Sequence, residues 1–343
     1  MKRIRKNQSA LNLPTLTLEG GLFLPDQLEK AAQGRAEGQS EADYGTPKGI
    51  KLKDEYSRAF QIACAQWQHF AAQMERSDVD AAQLTKSFVQ ELLHDAFGYT
   101  ALRPAHPLTV GELRYPASFL AGSLPVLAVP HNFGLDEPDP RFVVVGGGSR
   151  KKAPFQALQE LLNASDGHLW GIVCNGRQLR LLRDAASLTR PSFLEVDLVD
   201  LLGGQRYAEF ANVWRLLHAS RAPQPGQPDD ACHWERWREA GQEEGARVRE
   251  GLREGVTEAL LTFGEGFLQH SANHSLRNAL HDGLLTQDAY FQQLLRLIYR
   301  LIFVFTVEER GVLHANRQAP WPGCRQRRDN SHRRAQANCC PEV

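Results

Sequence analysis

The sequence predicts a mixed α/β fold, in which an α/β domain is flanked by helices before and after it in the chain. Apolar residues recur at three-to-four spacing from residue 54, which is typical of a helix that faces a core. From residue 99 short apolar pieces alternate with prolines, which indicates strands joined by loops. After residue 230 a charged, helical pattern returns. Because 42% of the 343 residues are hydrophobic, the chain can bury a sizeable core.

Composition divides the chain into five parts. Residues 1–45 are polar and broken by glycine and proline, so we expect a flexible arm. Residues 46–220 hold a helical pair and the α/β domain, and the Pro-rich residues 221–230 are interpreted as a linker. Residues 231–314 should form a helical connector. Residues 315–343 contain no Leu, Ile, Phe, Tyr or Met, which predicts a disordered tail and fits an out-of-frame ending.

Two amphipathic helices are predicted before the α/β domain. The first begins at Asp54 and shares one apolar face among Tyr56, Phe60, Ala63, Trp67 and Phe70. The second begins near residue 78 and ends near residue 98, with apolar positions at Leu84, Phe88, Leu92 and Leu93.

The α/β domain should combine short strands with two helices. LPVLAV and FVVV are predicted strands, and RYAEFANVWRLLHAS, which follows the apolar stretch FLEVDLVDLL, is a predicted helix. Residues 152–165 form another helix, with Pro154 at its first position. Residues 168–184, HLWGIVCNGRQLRLLRD, indicate a hairpin. Its turn is Asn175-Gly176, a pair that suits a type I′ turn.

Two basic stretches are candidates for phosphate contact in a chain whose 40 Lys and Arg balance 40 Asp and Glu. In the hairpin, LWGIVC should be buried on both faces, whereas the next strand should have one buried face and one wet or basic face. That second strand is either a solvated sheet edge or a DNA-contacting surface. The loop GGGSRKK is either a plain glycine loop or a phosphate contact. The candidate DNA-binding residues are Arg150, Lys151, Lys152, Arg177, Arg180 and Arg183.

The last helix, residues 286–313, has Thr286 as its predicted N-cap. Its apolar surface is too wide for a surface helix, so we expect it to be buried. Arg296 and Arg300 interrupt its most apolar stretch, which is far shorter than the ~20 residues of a membrane span. We therefore expect no membrane partner. None of the six cysteines forms a C-x-x-C pair, and a disulfide framework is not expected in a chain of this length, which favours a reducing cytoplasm.

No catalytic, metal-binding or cofactor-binding set is predicted. A metal-dependent nuclease of the PD-(D/E)xK type needs two acids and a lysine around one metal. Asp136 or Asp139 could supply the first acid, but the FVVV strand is followed by GGGSRKK without a second one. The glycines of TFGEGF follow a charged helical stretch and are interpreted as a helix-to-helix joint rather than a cofactor loop. The Asn-Pro-Pro-aromatic motif is absent from the sequence.

Four stretches, in this order, resemble the amino-terminal region of large adenine-specific DNA methyltransferases. That family comprises type IIG restriction–modification enzymes and the related methylases of DISARM- and BREX-type phage-defence systems. The most informative stretch runs from Gln159 to Asp184, with the pattern Q-E-x-L-N-x-S-D-x-H-L-W-G-I-V-x-N-G-x-x-L-R-L-L-R-D. The others are YGTPKGIKLKDE (44–55), RYAEFANVWRLLHASR (206–221) and YRLIFVFTVEERGVLH (299–314).

The resemblance implies a degenerate restriction-endonuclease-like α/β domain, in which Gln159 and Asn175-Gly176 match the helix and strand positions of that fold. It implies a parent protein that uses S-adenosylmethionine to methylate adenine N6 in double-stranded DNA, with no cofactor held by this chain. Two further hypotheses stay open. In one, the α/β domain is a DNA-binding or nuclease module, and in the other the Gly-interrupted helices at 229–262 dock defence-system proteins.

Overall fold

A computed structural model describes residues 13–148, 151–185 and 191–309. The chain divides into two compact units, Met1–Ala246 and Arg247–Val343, and the boundary lies inside a long helix. The described part of the first unit combines helices with a seven-stranded sheet, which confirms the predicted mixed α/β class. The described part of the second unit is helical.

The secondary-structure elements are numbered along the chain. The helices are α1 (Pro25–Ala32), α2 (Leu52–Met74), α3 (Ala81–Glu91), α4 (Pro154–Ala164), α5 (Tyr207–Leu217), α6 (His233–Gln269), α7 (His274–His281) and α8 (Gln287–Glu309). The strands are β1 (Leu16–Glu19), β2 (Leu102–Pro104), β3 (Leu108–Val110), β4 (Leu113–Tyr115), β5 (Phe119–Ala121), β6 (Leu124–Ala128), β7 (Trp170–Cys174), β8 (Gln178–Arg183) and β9 (Phe193–Asp197).

The main sheet has the strand order β1-β9-β8-β7-β6-β5-β2, and β3 pairs with β4 in a separate ribbon. Only β6 and β7 run parallel among these neighbours, and the other pairs are antiparallel. Helix α4 lies between β6 and β7 in the chain, as a parallel connection requires. One sheet face packs against α1, α2, α3 and α5, and the other packs against α4. The sheet is therefore the middle of three layers.

The helical pair follows the predicted apolar spacing. In α2 the buried side chains are Tyr56, Ala59, Ala63, Trp67 and Phe70. The second helix starts at Ala81, three residues later than predicted, because the Asp80 carboxylate accepts a hydrogen bond from the Ala82 N–H at 2.9 Å and caps it. The rings of Phe70 and Phe88 stack with centroids 4.2 Å apart and join the two helices.

The prediction of a flexible arm is wrong for residues 13–45. Strand β1 pairs with β9 at the edge of the sheet, and α1 buries Leu28. Arg221, which is fully buried, donates hydrogen bonds to the backbone oxygens of Gly38 and Asp43. The segment is polar overall, but it contains a few apolar residues that pack against residues distant in the sequence. Residues 1–12 lie outside the described residues.

The predicted linker at 221–230 does not separate two domains, since the first unit continues to Ala246. Two tryptophans at the start of α6, Trp234 and Trp237, are buried in the same core as the sheet. The indole N–H of Trp234 donates to the backbone oxygen of Leu216 at 2.7 Å. This packing overrides the Pro-rich composition that suggested a linker. The predicted tail, residues 315–343, lies outside the described residues.

The FVVV stretch is not a strand, contrary to prediction. The Asp139 carboxylate accepts from the Arg141 N–H and caps a short 3₁₀ turn at Pro140–Phe142. Only Val145 forms a bridge, with Arg114 of β4. Phe142 and Val144 instead fill the core beside α4. Asp136 and Asp139 therefore lie on a loop and not at the start of a sheet strand.

The hairpin is formed by β7 and β8, and both strands lie inside the sheet. The prediction for β7 is confirmed, because all five of its residues are buried. The interpretation of β8 as a solvated edge is wrong, since β8 pairs with β9 on its other side. The type I′ turn is also wrong: among the turn residues only Gly176 has a positive φ, +79°. The Asn175 side-chain oxygen instead accepts from the N–H groups of Arg177 and Gln178.

Gly176→Ala should destabilise the first unit by about 2–3 kcal/mol. A β-carbon at this position would lie 2.5 Å from the buried Phe70 ring, and the positive φ adds strain. Urea unfolding followed by tryptophan fluorescence measures the loss. Gly226→Ala is the matched control, because Gly226 has the same φ of +79° but nothing within 4 Å of its β-carbon position. Equal losses in the two variants would contradict the packing argument.

Within the second unit, α8 packs against the end of α6. The Tyr290 hydroxyl donates to the Gly264 backbone oxygen at 2.8 Å, and the Leu294 side chain contacts Gly264. Gly264 lies within α6, so the predicted joint at TFGEGF is wrong. Thr286 caps α8 as predicted, since its hydroxyl oxygen accepts from the Ala289 N–H.

The prediction that helix α8 is buried is wrong for the described part of the chain. Leu294 and Ile298 are covered, but an apolar group remains exposed: Phe291, Tyr299, Phe303, Val304 and Phe305. By length and composition alone, Gln287–Glu308 qualifies as a candidate membrane span, with 11% of the stretch buried. The described residues therefore cover only part of the apolar face of α8.

Candidate nucleic-acid interface

The carboxyl ends of the parallel strands β6 and β7 form one edge of the sheet; Arg177 lies in the turn that follows β7, whereas Arg183 lies opposite Trp170 at the other end of that strand. The long loop after β6 and the hairpin turn after β7 both leave the sheet here. The Val129 N–H donates to the Cys174 oxygen at 2.8 Å, and the Asn175 side-chain amide donates to the Phe133 oxygen at 2.9 Å. These bonds hold the loop against the turn. Carboxyl edges of parallel strands are common ligand sites.

Two of the six candidate cations are exposed at this edge. Arg177 lies in the hairpin turn and Lys151 lies in the loop before α4. Neither side chain forms an ion pair within the described ranges 13–148, 151–185 and 191–309. Burial lowers the pKa of His131, and the nearby Arg177 charge lowers it further, which disfavours the charged form of His131. Arg177 and Lys151 are the cations that this edge offers to a phosphate.

Arg180 is buried, with 5% of its surface exposed, and it is fully committed to internal partners. Its two terminal nitrogens donate to the Asp136 carboxylate at 2.7 Å each, and Nε donates to Glu195 at 2.7 Å. The guanidinium lies 4.2 Å from the centroid of the Phe193 ring. Burial acts to lower the pKa of Arg180, but the bonds to both carboxylates outweigh it and raise the pKa. The structure thus places this residue in the core.

Arg183 and Lys152 also form internal ion pairs. Arg183 donates to both oxygens of Glu235, at 2.8 and 2.9 Å, and Glu235 is 2% exposed. Lys152 pairs with Glu160 of α4. The last candidate, Arg150, lies outside the described residues.

Sequence reasoning missed the three acids that bind the hairpin arginines: Asp136, Glu195 and Glu235. One of them left a local signal. In the antiparallel pair of β8 and β9, Arg180 lies directly opposite Glu195, and opposite charges at such positions stabilise a sheet. The other two lie 44 and 52 residues from their arginines, so no local pattern could have paired them.

The residues present do not fit a nuclease metal or S-adenosylmethionine. Strands β5 and β6, FLA and LPVLA, contain no Asp, Glu or Lys. Among the described residues no three His, Cys, Asp or Glu side chains converge on a metal position. Asp136 and Asp139 are bound to Arg180 and Arg141. The glycines of TFGEGF lie inside a helix and follow no strand, so they offer no cofactor loop.

The first unit therefore belongs to the mixed α/β class, and exposed cations lie near the carboxyl edge of the one parallel strand pair among its described residues. Comparison with protein-family models, with curated proteins and with solved structures found no match to the chain.

Proposed function

We propose that this chain is the non-catalytic, amino-terminal part of a DNA adenine-N6 methyltransferase of a restriction–modification or phage-defence system, and that it helps to engage double-stranded DNA. The observation that carries the proposal is the order of elements in the first unit. Helix α3 precedes the antiparallel strands β2, β5 and β6, then α4 crosses over to the parallel strand β7, and antiparallel β8 follows. This mixed α/β arrangement is compatible with the restriction-endonuclease-like core that the sequence resemblance implies, and in that way supports the proposal.

Two residues that the resemblance matches to such a core, Gln159 and Asn175, form hydrogen bonds that order the hairpin region. The Gln159 side chain in α4 donates to the Arg183 backbone oxygen and to the Asn163 side chain, each at 2.9 Å, and so ties the helix to β8. Asn175 orders the hairpin turn through its side chain. The missing carboxylates on β5 and β6 indicate that this core binds rather than cleaves. In the parent enzyme, methyl transfer would act on a flipped adenine.

We expect a mutant that lacks both exposed cations, Lys151→Ala with Arg177→Ala, to bind duplex DNA more weakly than the wild-type chain. Each phosphate that is no longer neutralised should reduce the slope of log affinity against log salt by about 1, so the slope of the double variant should fall by about 2. Fluorescence anisotropy over a salt series measures both quantities. The matched control is Lys53→Ala with Arg58→Ala, because these exposed cations lie in the first two turns of α2.

Equal weakening in the control and in the test variant would assign the effect to net charge rather than to this edge. Absence of duplex binding by the wild-type chain at low salt would overturn DNA engagement. Incubation of the purified chain with DNA and tritiated S-adenosylmethionine should leave the DNA unlabelled, and labelling would overturn the non-catalytic assignment.

A second candidate function, a docking scaffold for defence-system proteins, is favoured by one observation. Helix α6 has exposed apolar residues along the second unit, among them Val248, Leu252 and Leu261. Gly241 and Gly245 of the same helix pack closely on Leu24, whereas Gly251 and Gly255 have nothing within 4 Å of the β-carbon position. Pull-downs from the native host with Val248→Glu and Leu252→Glu, against the wild type, distinguish this function from DNA engagement.

A further inference from the structure

A cleft of about 350 Å³ lies between α2 and α3 in the first unit. Its floor is apolar and includes Phe70, Leu84 and Phe88. Its walls carry hydrogen-bonding side chains: Gln66, His69, Gln73, Gln83 and Ser87. Clefts of this size with an apolar floor and a few convergent polar groups are typical of small-ligand sites.

One wall residue has an unused acceptor. The amide nitrogen of Gln66 donates to Asp95 at 2.9 Å, but Oε1 of the same side chain is buried without a hydrogen-bond partner among the described residues. A buried polar atom without a partner costs free energy. A ligand N–H group that reaches the base of the cleft would complete this hydrogen bond.

The charges around the cleft restrict the ligand. Asp80 and Glu91 contribute carboxylates to the lining, and no Lys or Arg is among the lining residues that the structure describes. A phosphate or other anion would be repelled from the cleft itself. The lining suits a neutral, flat group that offers N–H donors on its edge and an apolar face to the floor.

Arg177 follows a glycine that packs against one of the residues lining the cleft. The β-carbon position of Gly176 lies against the Phe70 ring, and the exposed Arg177 is the next residue along the turn. The His131 ring, whose pKa Arg177 influences, also meets Phe70 edge-on with centroids 6.0 Å apart. The cleft and Arg177 are thus connected through Phe70, which lines the cleft and contacts the hairpin turn.

We propose that the cleft between α2 and α3 binds an unpaired nucleobase of nucleic acid, with Gln66 accepting from the exocyclic amine of the base and Arg177 contacting the adjoining phosphate. The proposal rests on the DNA engagement proposed above and adds a site for one base. Glutamine amides commonly read the amine edge of adenine, and an unpaired base is the part of DNA that can enter such a cleft.

The test measures the affinity of the full chain for three probes: a fully paired duplex, the same duplex with one unpaired adenine, and free adenosine. The unpaired adenine should raise affinity about tenfold over the paired duplex, as one new hydrogen bond and an apolar contact together would. Gln66→Leu should abolish that preference. Gln68→Leu, at an exposed position on the same helix, should retain it.

Equal affinity of the wild-type chain for the two duplexes would overturn the cleft proposal while leaving DNA engagement intact, whether or not the variants fold. Binding of adenosine that Gln66→Leu removes, without binding of either duplex, would support the cleft as a free-nucleoside site and overturn DNA engagement. Binding of none of the three probes would overturn both proposals.

Discussion

Arg180→Met should destabilise the first unit by about 3–5 kcal/mol, the largest loss expected from a single arginine of the hairpin. Removing the guanidinium leaves Glu195, whose side chain is only 10% exposed, as an uncompensated buried charge. It also releases Asp136 and therefore one attachment of the loop that follows β6. Urea unfolding monitored by circular dichroism measures the change.

Two further variants distinguish the loss of the ion pair from a general destabilising effect of replacing an arginine. Arg180→Met combined with Glu195→Leu should recover most of the loss, because a buried pair replaced by apolar side chains of similar size is often neutral. Arg177→Met, on the exposed turn of the same hairpin, should stay within about 0.5 kcal/mol of the wild type. A single Arg180→Met variant as stable as Arg177→Met would show that the pair contributes nothing.

Glu235→Gln should cost about 3 kcal/mol for the same physical reason. Burial acts to raise the pKa of Glu235, but hydrogen bonds from Arg183 and Arg238 outweigh it and hold the pKa below its ordinary value of 4.5. A carboxyl with a lowered folded pKa contributes stability above its unfolded pKa and loses it as the pH falls through the folded value. The gap between wild type and variant should therefore be full at pH 7 and shrink below about pH 4.5.

Unfolding free energies measured over a pH series check both statements. Glu239→Gln is the control, because Glu239 is exposed one turn further along α6. It should change stability little at any pH. A gap for Glu235→Gln that stays constant down to pH 3 would contradict the assigned ion pair, since ~pH 3 is below the unfolded carboxyl pKa.

Elements whose signals are local were predictable. The apolar spacing of α2 and α5, Pro154 at the first position of α4 and the continuous apolar run of β7 each reflect a rule that acts within a few residues. The candidate cleft was not predictable, because its walls come from both α2 and α3 and its unused acceptor is visible only after packing.

The sequence by itself determined the alternation of helices and short strands, the absence of a nuclease or cofactor motif, and the hairpin around Asn175-Gly176. Only the tertiary structure decided which arginines of that hairpin face water. Arg180 is buried beside Glu195 and also binds the exposed Asp136, and Arg183 is partly buried beside Glu235, whereas Arg177 stays exposed in the turn. The physical reason is that a charge can be buried only beside its partner, and two of these partners arrive from distant segments.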